Sequence, residues 1–274
     1  QLFQLGLVVG RALDGVPQQG GFHNFDLRLR RPPHHPVFSP VSPLLPGGQE
    51  VFIKRDDLLG FSFGGNKCRI GAEFLEDMRR QGADFMVSYG SRRSNLNRVM
   101  ASMCRSLRIP CLIISSGEDE EQDGFNAALV DSMGAGRVFC KKNLVAETVE
   151  STLLDLKGQG YKPYYIYGDI YGMGNEETAR SAYQKAYQEI RLWQEKAQAE
   201  FEAIFLASGT GMTQGGLLAG RREQQGREKI IGISVAREKE AGAAAVRRYA
   251  GEGEDDVCFE TDYRCGGYGR YDGE

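Results

Sequence analysis

ASGTGMTQGGLLAG, residues 207–220, continues the apolar run EAIFLAS at 202–208 and leads into an apolar segment with helical spacing. A strand, a glycine turn and a helix in direct succession is the unit from which helix-covered parallel sheets are built. Glycines at 209 and 211 let the backbone amides turn toward one point, and the helix N-terminus adds its dipole, so an anion, above all a phosphate, is expected there. The stretch is not a Walker loop, because no Gly-Lys-Ser/Thr follows. Nor is it the dinucleotide fingerprint, since the glycine after Gly211 is Gly215, one residue too late. The competing reading is a tight glycine turn for close helix–sheet packing.

The same alternation extends in both directions. The β-rich runs VFIKR (51–55), DFMVSYG (84–90), PCLIIS (110–115), GRVFCKK (136–142), KPYYIYG (162–168) and KIIGISVA (229–236) are separated by longer segments of helical period. Leu96, Val99, Met100, Met103 and Leu107 share one helix face, and Ala179, Ala182, Tyr183, Ala186, Tyr187 and Ile190 share another; both read as core. Strands alternating with helices predict an α/β protein with mostly parallel sheets covered on both faces. Ligands in such sheets bind beyond the carboxyl ends of the strands. That rule selects three loops: SRRSN (91–95), DIYGMGN (169–175) and SGTGMTQGG (208–216).

Composition bounds the function. The chain has 274 residues, 41% hydrophobic and 26% charged, with a formal net charge of −3. Such a chain builds a real core, in one large domain or two smaller ones, and lacks the basic stripe that a nucleic-acid partner requires. No apolar run approaches a membrane span, and the N-terminus has neither the basic start nor the cleavage site of a secretory leader, so the expected location is cytoplasmic. No initiating Met is present, which leaves room for a longer translation product. The six cysteines form no Cys-x-x-Cys pair, and the three histidines, His23, His34 and His35, lie outside every periodic or glycine-rich segment. No metal site and no Ser-His-Asp relay is expected. The proline-rich stretch at 28–50 and the acidic run GEDEEQD at 117–123 read as solvated segments.

In GFSFGGNKCRI, residues 60–70, two glycines deliver Lys67 to the start of a helix, where the dipole is least hospitable to a cation. An amine covalently tied to a carbonyl resolves the conflict; a solvated first-turn lysine is the plainer reading. SRRSNLNR, residues 91–98, sets Ser94 and Asn95 at a second helix start, where capping competes with ligand binding. A lysine, a Ser-Asn pair and a phosphate-type loop together fit a cofactor with one aldehyde, one phenolic oxygen and one phosphate, namely pyridoxal 5'-phosphate.

The series SPLLP, VFIKRDDLLG, FGGNKCR, YGSRRSN, YYIYG, ASGTGMTQGGLLAG and GGYG resembles the 1-aminocyclopropane-1-carboxylate deaminase and D-cysteine desulfhydrase family of pyridoxal-phosphate enzymes, from about Pro40 to the end. The resemblance implies the tryptophan synthase β-like fold, with two three-layer α/β domains. The small domain would be 69–180 and the large cofactor-binding domain 1–68 with 181–274. Lys67 would hold the cofactor through its amine and then act as base at the substrate's α or β carbon. Asn95 would hydrogen-bond the phenolic oxygen. The amides of Ser208, Gly209, Thr210, Gly211, Met212 and Thr213 would hold the phosphate. Ser94 would carry a proton or bind the substrate carboxylate, and Tyr268, in GGYG, would approach the substrate. A homodimer is implied by the resemblance alone.

Departures from the family pattern are specific. Leu96 stands where a polar residue or histidine usually follows Ser-Asn, and Arg92 and Arg93 stand where a glutamine is common, so an acidic substrate or a solvent-facing pair are both open. Ile70 replaces the basic residue that often lies three positions after the lysine and helps to hold the phosphate, so that charge must come from elsewhere. Family members also continue past GGYG with a segment supplying a second tyrosine and the partner of the pyridine nitrogen, so the C-terminal part of the large domain is expected to lie outside this chain. The implied activity is a lyase or deaminase that releases ammonia and a 2-oxo acid from a small amino acid. A β-replacement synthase, a cofactor-binding protein without turnover on a decayed scaffold, and a nucleotide-binding module using loop 207–220 are the alternatives.

Overall fold

The computed structural model describes residues 8–10, 37–40, 50–117, 124–251, 253 and 257–263. The chain divides into two compact units, Gln1–Asn66 with Ala179–Glu274, and Lys67–Thr178. The first unit begins with three short strands, β1 (Val8–Gly10), β2 (Phe38–Pro40) and β3 (Val51–Lys54). A 3-10 turn at Asp56–Leu58 then leads into a left-handed loop in which Phe61, Ser62, Phe63, Gly64 and Gly65 all have positive φ. Gly64 is obligatory there, because a Cβ would run into the Asp57 carbonyl. The loop is closed by the Gly65 amide donating to the Asp56 carbonyl at 2.7 Å.

The second unit is a continuous segment. Its elements are α1 (Lys67–Arg80), β4 (Phe85–Ser91), α2 (Asn95–Leu107), β5 (Cys111–Ser116), α3 (Phe125–Ser132), β6 (Gly136–Cys140), α4 (Val145–Gly158) and β7 (Pro163–Tyr165). The four strands form an all-parallel sheet in the order β6-β5-β4-β7. Period-2 alternation sends neighbouring residues to opposite faces. Ile113 packs with Ala101 and Val130 from α2 and α3, while Val87 and Ile114 pack with Val149 and Leu156 from α4. Helices therefore cover both faces. From β4 the chain steps out through β5 to β6 and then returns to β7 on the other side of β4, so the strand order reverses at β4.

The chain re-enters the first unit through α5 (Glu176–Ala197) and continues with β8 (Ala203–Ser208), α6 (Met212–Glu223), β9 (Lys229–Ser234), α7 (Lys239–Ala250) and β10 (Cys258–Glu260). The sheet order is β10-β9-β8-β1-β3-β2. Strands β8, β9 and β10 are parallel, but β1 runs antiparallel to both β8 and β3, and β2 antiparallel to β3. The expectation of mostly parallel sheets thus holds for the second unit and is corrected in the first. Ten residues between β2 and β3 are too few for the crossover that parallel neighbours require. Along β8 buried Ile204, Leu206 and Ser208 alternate with exposed Phe205 and Ala207, so the described residues cover one face of this strand.

The glycines of α6 are used for helix packing. A Cβ on Gly215 would lie 2.6 Å from the Tyr249 Cβ of α7, and one on Gly216 would lie 2.6 Å from the Tyr183 Cβ of α5. Buried Lys54 is neutralised by Asp56 at 2.8 Å and by Glu189 of α5 at 2.7 Å. Trp193 stacks between Phe38 at 4.5 Å and Phe201 at 5.2 Å. Among the described residues no helix is long and apolar enough to cross a membrane.

Candidate active site

In the first unit, the loop between β8 and α6 is the candidate anion cradle. Gly211 caps α6 with a φ of 85°, and a Cβ there would approach the Ala245 backbone to 2.7 Å, so only glycine lets the loop lie against α7. The amides of Gly209, Thr210 and Gly211 donate to no acceptor among the described residues. Ser208 is 2% exposed, and its Oγ also has no partner among them. A buried hydroxyl and a row of orphan amides at a helix N-terminus match the needs of a phosphate. Thr213 is fixed from outside the loop, since Asn66 Nδ2 donates to its Oγ1 at 2.9 Å. The Tyr183 hydroxyl donates to the Asn66 carbonyl at 3.2 Å. Asn66 is therefore held at both ends, and the next residue in the chain is Lys67.

Lys67 is the first residue of α1 in the second unit. Burial of its ammonium lowers its pKa from the ordinary 10.5 to about 8. A lysine with that pKa has an appreciable neutral, nucleophilic fraction near neutrality, which is the form that bonds to a carbonyl.

The SRRSN loop leaves β4 at the point where the strand order reverses, the favoured ligand position in sheets of this kind. Ser94 caps α2, accepting from the Asn97 amide at 3.2 Å, which realises the capping role and leaves its hydroxyl proton available. Gly90 makes room for it: a Cβ there would sit 2.7 Å from Ser94 Oγ. Asn95 Oδ1 accepts from Asn126 Nδ2 at 3.0 Å, and Asn126 also donates to the Arg93 carbonyl at 2.8 Å. With its oxygen so engaged, the Asn95 amide nitrogen is the end left to donate to a ligand. Leu96 is buried in the helical core. Arg92 lies with its guanidinium carbon 3.7 Å from the Phe139 ring centroid, and Arg93 is exposed. Tyr268 lies outside the described residues.

Sequence reasoning named the cradle, Lys67, Ser94 and Asn95, but not Asn66, Gly90 or Asn126. Asn66 stood within the quoted GGNK motif, and Gly90 was signalled by a glycine at a strand end. Asn126 carried no local signal, because its partners are about thirty residues away.

Comparisons with known proteins converge on this chemistry. The chain is 30% identical over 198 residues to D-cysteine desulfhydrase of Klebsiella pneumoniae (strain 342), an alignment covering 69% of this chain and 58% of that protein. It thus spans a little over half the length of that curated relative. It is 27% identical over 272 residues to 1-aminocyclopropane-1-carboxylate deaminase of Burkholderia cenocepacia, covering 89% of this chain and 80% of that one. A crystal structure described as an ACC deaminase homologue superposes with a TM-score of 0.69 at 25% identity, covering 87% of this chain and 74% of that chain. The fold is accordingly tryptophan synthase β-like, as the sequence motifs imply. The family model described as pyridoxal-phosphate dependent enzyme matches residues 39–273, and the chain belongs to that family.

Proposed function

We propose that the protein is a pyridoxal-phosphate lyase or deaminase that takes a small amino acid and releases ammonia and a 2-oxo acid. The observation that carries this reading is the half-buried Lys67, its pKa lowered to about 8 by desolvation, following directly on an asparagine that is hydrogen-bonded to the candidate anion cradle. The relatives named D-cysteine desulfhydrase and 1-aminocyclopropane-1-carboxylate deaminase support the choice of reaction class.

When bound, the cofactor supplies an aldehyde carbon for an amine and a ring that takes up the negative charge left when a proton leaves carbon. Lys67 Nζ would hold the cofactor through that aldehyde carbon and would act as the base at the substrate's α or β carbon. The Asn95 amide donates to the phenolic oxygen, with Asn126 fixing which end of the amide is presented. The Ser94 hydroxyl, already accepting its cap bond, would donate a hydrogen bond to the substrate carboxylate or carry a proton for the substrate. The amides of Ser208, Gly209, Thr210, Gly211, Met212 and Thr213, with the free Ser208 hydroxyl, hold the phosphate. Tyr268 is assigned to the substrate by the resemblance. We assign a homodimer on the same ground, and keep the cytoplasmic location as the expectation from the sequence.

The test is the visible spectrum of the purified protein with pyridoxal phosphate, before and after borohydride, with peptide mapping of the reduced product. A visible absorption band from lysine-bound pyridoxal phosphate that is lost on reduction, with the label on Lys67 and ammonia released from D-cysteine or 1-aminocyclopropane-1-carboxylate, is the expected result. Label on other lysines, or none, refutes it.

A further inference from the structure

One charge is missing from the position where the family pattern would put it. Ile70, three residues after Lys67, is fully buried in α1. A phosphate held by amides and a helix dipole alone would carry charge that a fixed cation ordinarily balances. In the first unit a cation contacts the cradle. Arg237, three residues beyond the end of β9, donates from Nε to the Gly209 carbonyl at 2.9 Å.

Its placement is set by the fold. Ser234, 1% exposed at the end of β9, donates from Oγ to the Arg237 carbonyl at 2.7 Å and accepts from the Arg237 amide at 3.1 Å. The turn is tied to the cradle as well, because the Val235 amide donates to the Ser208 carbonyl at 3.2 Å. The Nε bond uses one edge of the guanidinium. Its terminal nitrogens, Nη1 and Nη2, make no hydrogen bond or ion pair among the described residues, which leaves four N–H donors for an anion. The buried, unpartnered Ser208 Oγ at the start of the same loop is an independent sign that an acceptor-rich ligand belongs there.

We propose that Arg237 is a phosphate-binding residue of this protein, clamped to the loop through Nε and supplying the cation that position 70 does not. The assignment rests on the pyridoxal-phosphate reading and adds to it a residue of the first unit. Its effect is confined to ligands that carry the phosphate.

The experiment compares equilibrium binding of pyridoxal phosphate and of pyridoxal, which lacks the phosphate, to the wild type, Arg237→Gln and Arg237→Lys. Trp193 fluorescence quenching and the absorbance band both report binding, and urea unfolding confirms that each variant folds. Arg237→Gln is expected to weaken pyridoxal phosphate about 10- to 100-fold while leaving pyridoxal within about 3-fold, and Arg237→Lys to recover most of the loss. The affinity of the wild type should also fall more steeply with ionic strength than that of the glutamine variant. An equal loss for both ligands would mean that Arg237 only props the loop, and no loss would mean that it does not touch the phosphate; either overturns the proposal. Failure of the wild type itself to bind pyridoxal phosphate would instead bring down the cofactor reading, and this assignment with it.

Discussion

At Lys67 removal from water lowers the pKa of the amine, and its place at the positive end of α1 acts in the same sense. The sequence displayed the second, through two glycines and a helix start, and raised the question of why an amine should stand there. The first appears only once the surrounding packing exists. The neutral fraction therefore grows through pH 8 rather than through 10.5. In the cofactor-free protein, modification of Lys67 by trinitrobenzenesulfonate, read by peptide mapping, should rise through about pH 8 and level off above it. A rate still climbing toward pH 10 would show a solvated lysine. Ser94 shows how two readings of one residue coexist: its oxygen accepts the cap bond, and its proton remains for another partner.

The element that best separates sequence from structure is α6. Its motif was legible as an anion loop followed by a helix, and Gly209 and Gly211 serve the loop. Gly215, Gly216 and Gly220 do something else: they let α7 and α5 approach at backbone distance, with the Cβ atoms of Tyr249, Tyr183 and Tyr187 where a methyl would otherwise sit. The close helix–sheet packing weighed for the glycine turn is thus joined, further along α6, by packing between helices. Replacing Gly216 by Ala gains helix propensity of about 1 kcal/mol but forces α5 away at a cost of about 3 kcal/mol, for a net loss of about 2 kcal/mol. Urea unfolding followed by Trp193 fluorescence measures it, and a variant as stable as the wild type would show that α5 shifts at no cost. Trp193 is suited to the task because it is the only tryptophan and stacks inside the aromatic cluster of the first unit.

For the whole molecule, the second unit is one continuous segment with a four-stranded parallel sheet and apolar clusters on both faces, whereas the first is assembled from both ends of the chain. Residues 67–178 expressed alone are therefore expected to fold, with helical circular dichroism and a cooperative urea transition. A non-cooperative, structureless fragment would show that the second unit borrows its stability from the first. In the intact protein, Trp193 fluorescence follows only the first unit, so non-coincident fluorescence and circular dichroism transitions would reveal independent unfolding.

The sequence by itself determined the α/β alternation, the three loops that follow strands β4, β7 and β8, and the motif order that resembles the pyridoxal-phosphate enzymes, because each is written in contiguous residues whose spacing matches a strand, a turn or a helix. Tertiary structure alone decided that β1 lies between β8 and β3, which mixes the sheet of the first unit. It also decided that Asn66 reaches Thr213, that Asn126 orients Asn95 and that Arg237 clamps Gly209. Those pairings join residues from about thirty to nearly a hundred and fifty positions apart. No local periodicity encodes them; they exist only because packing the strands and helices brings their ends together.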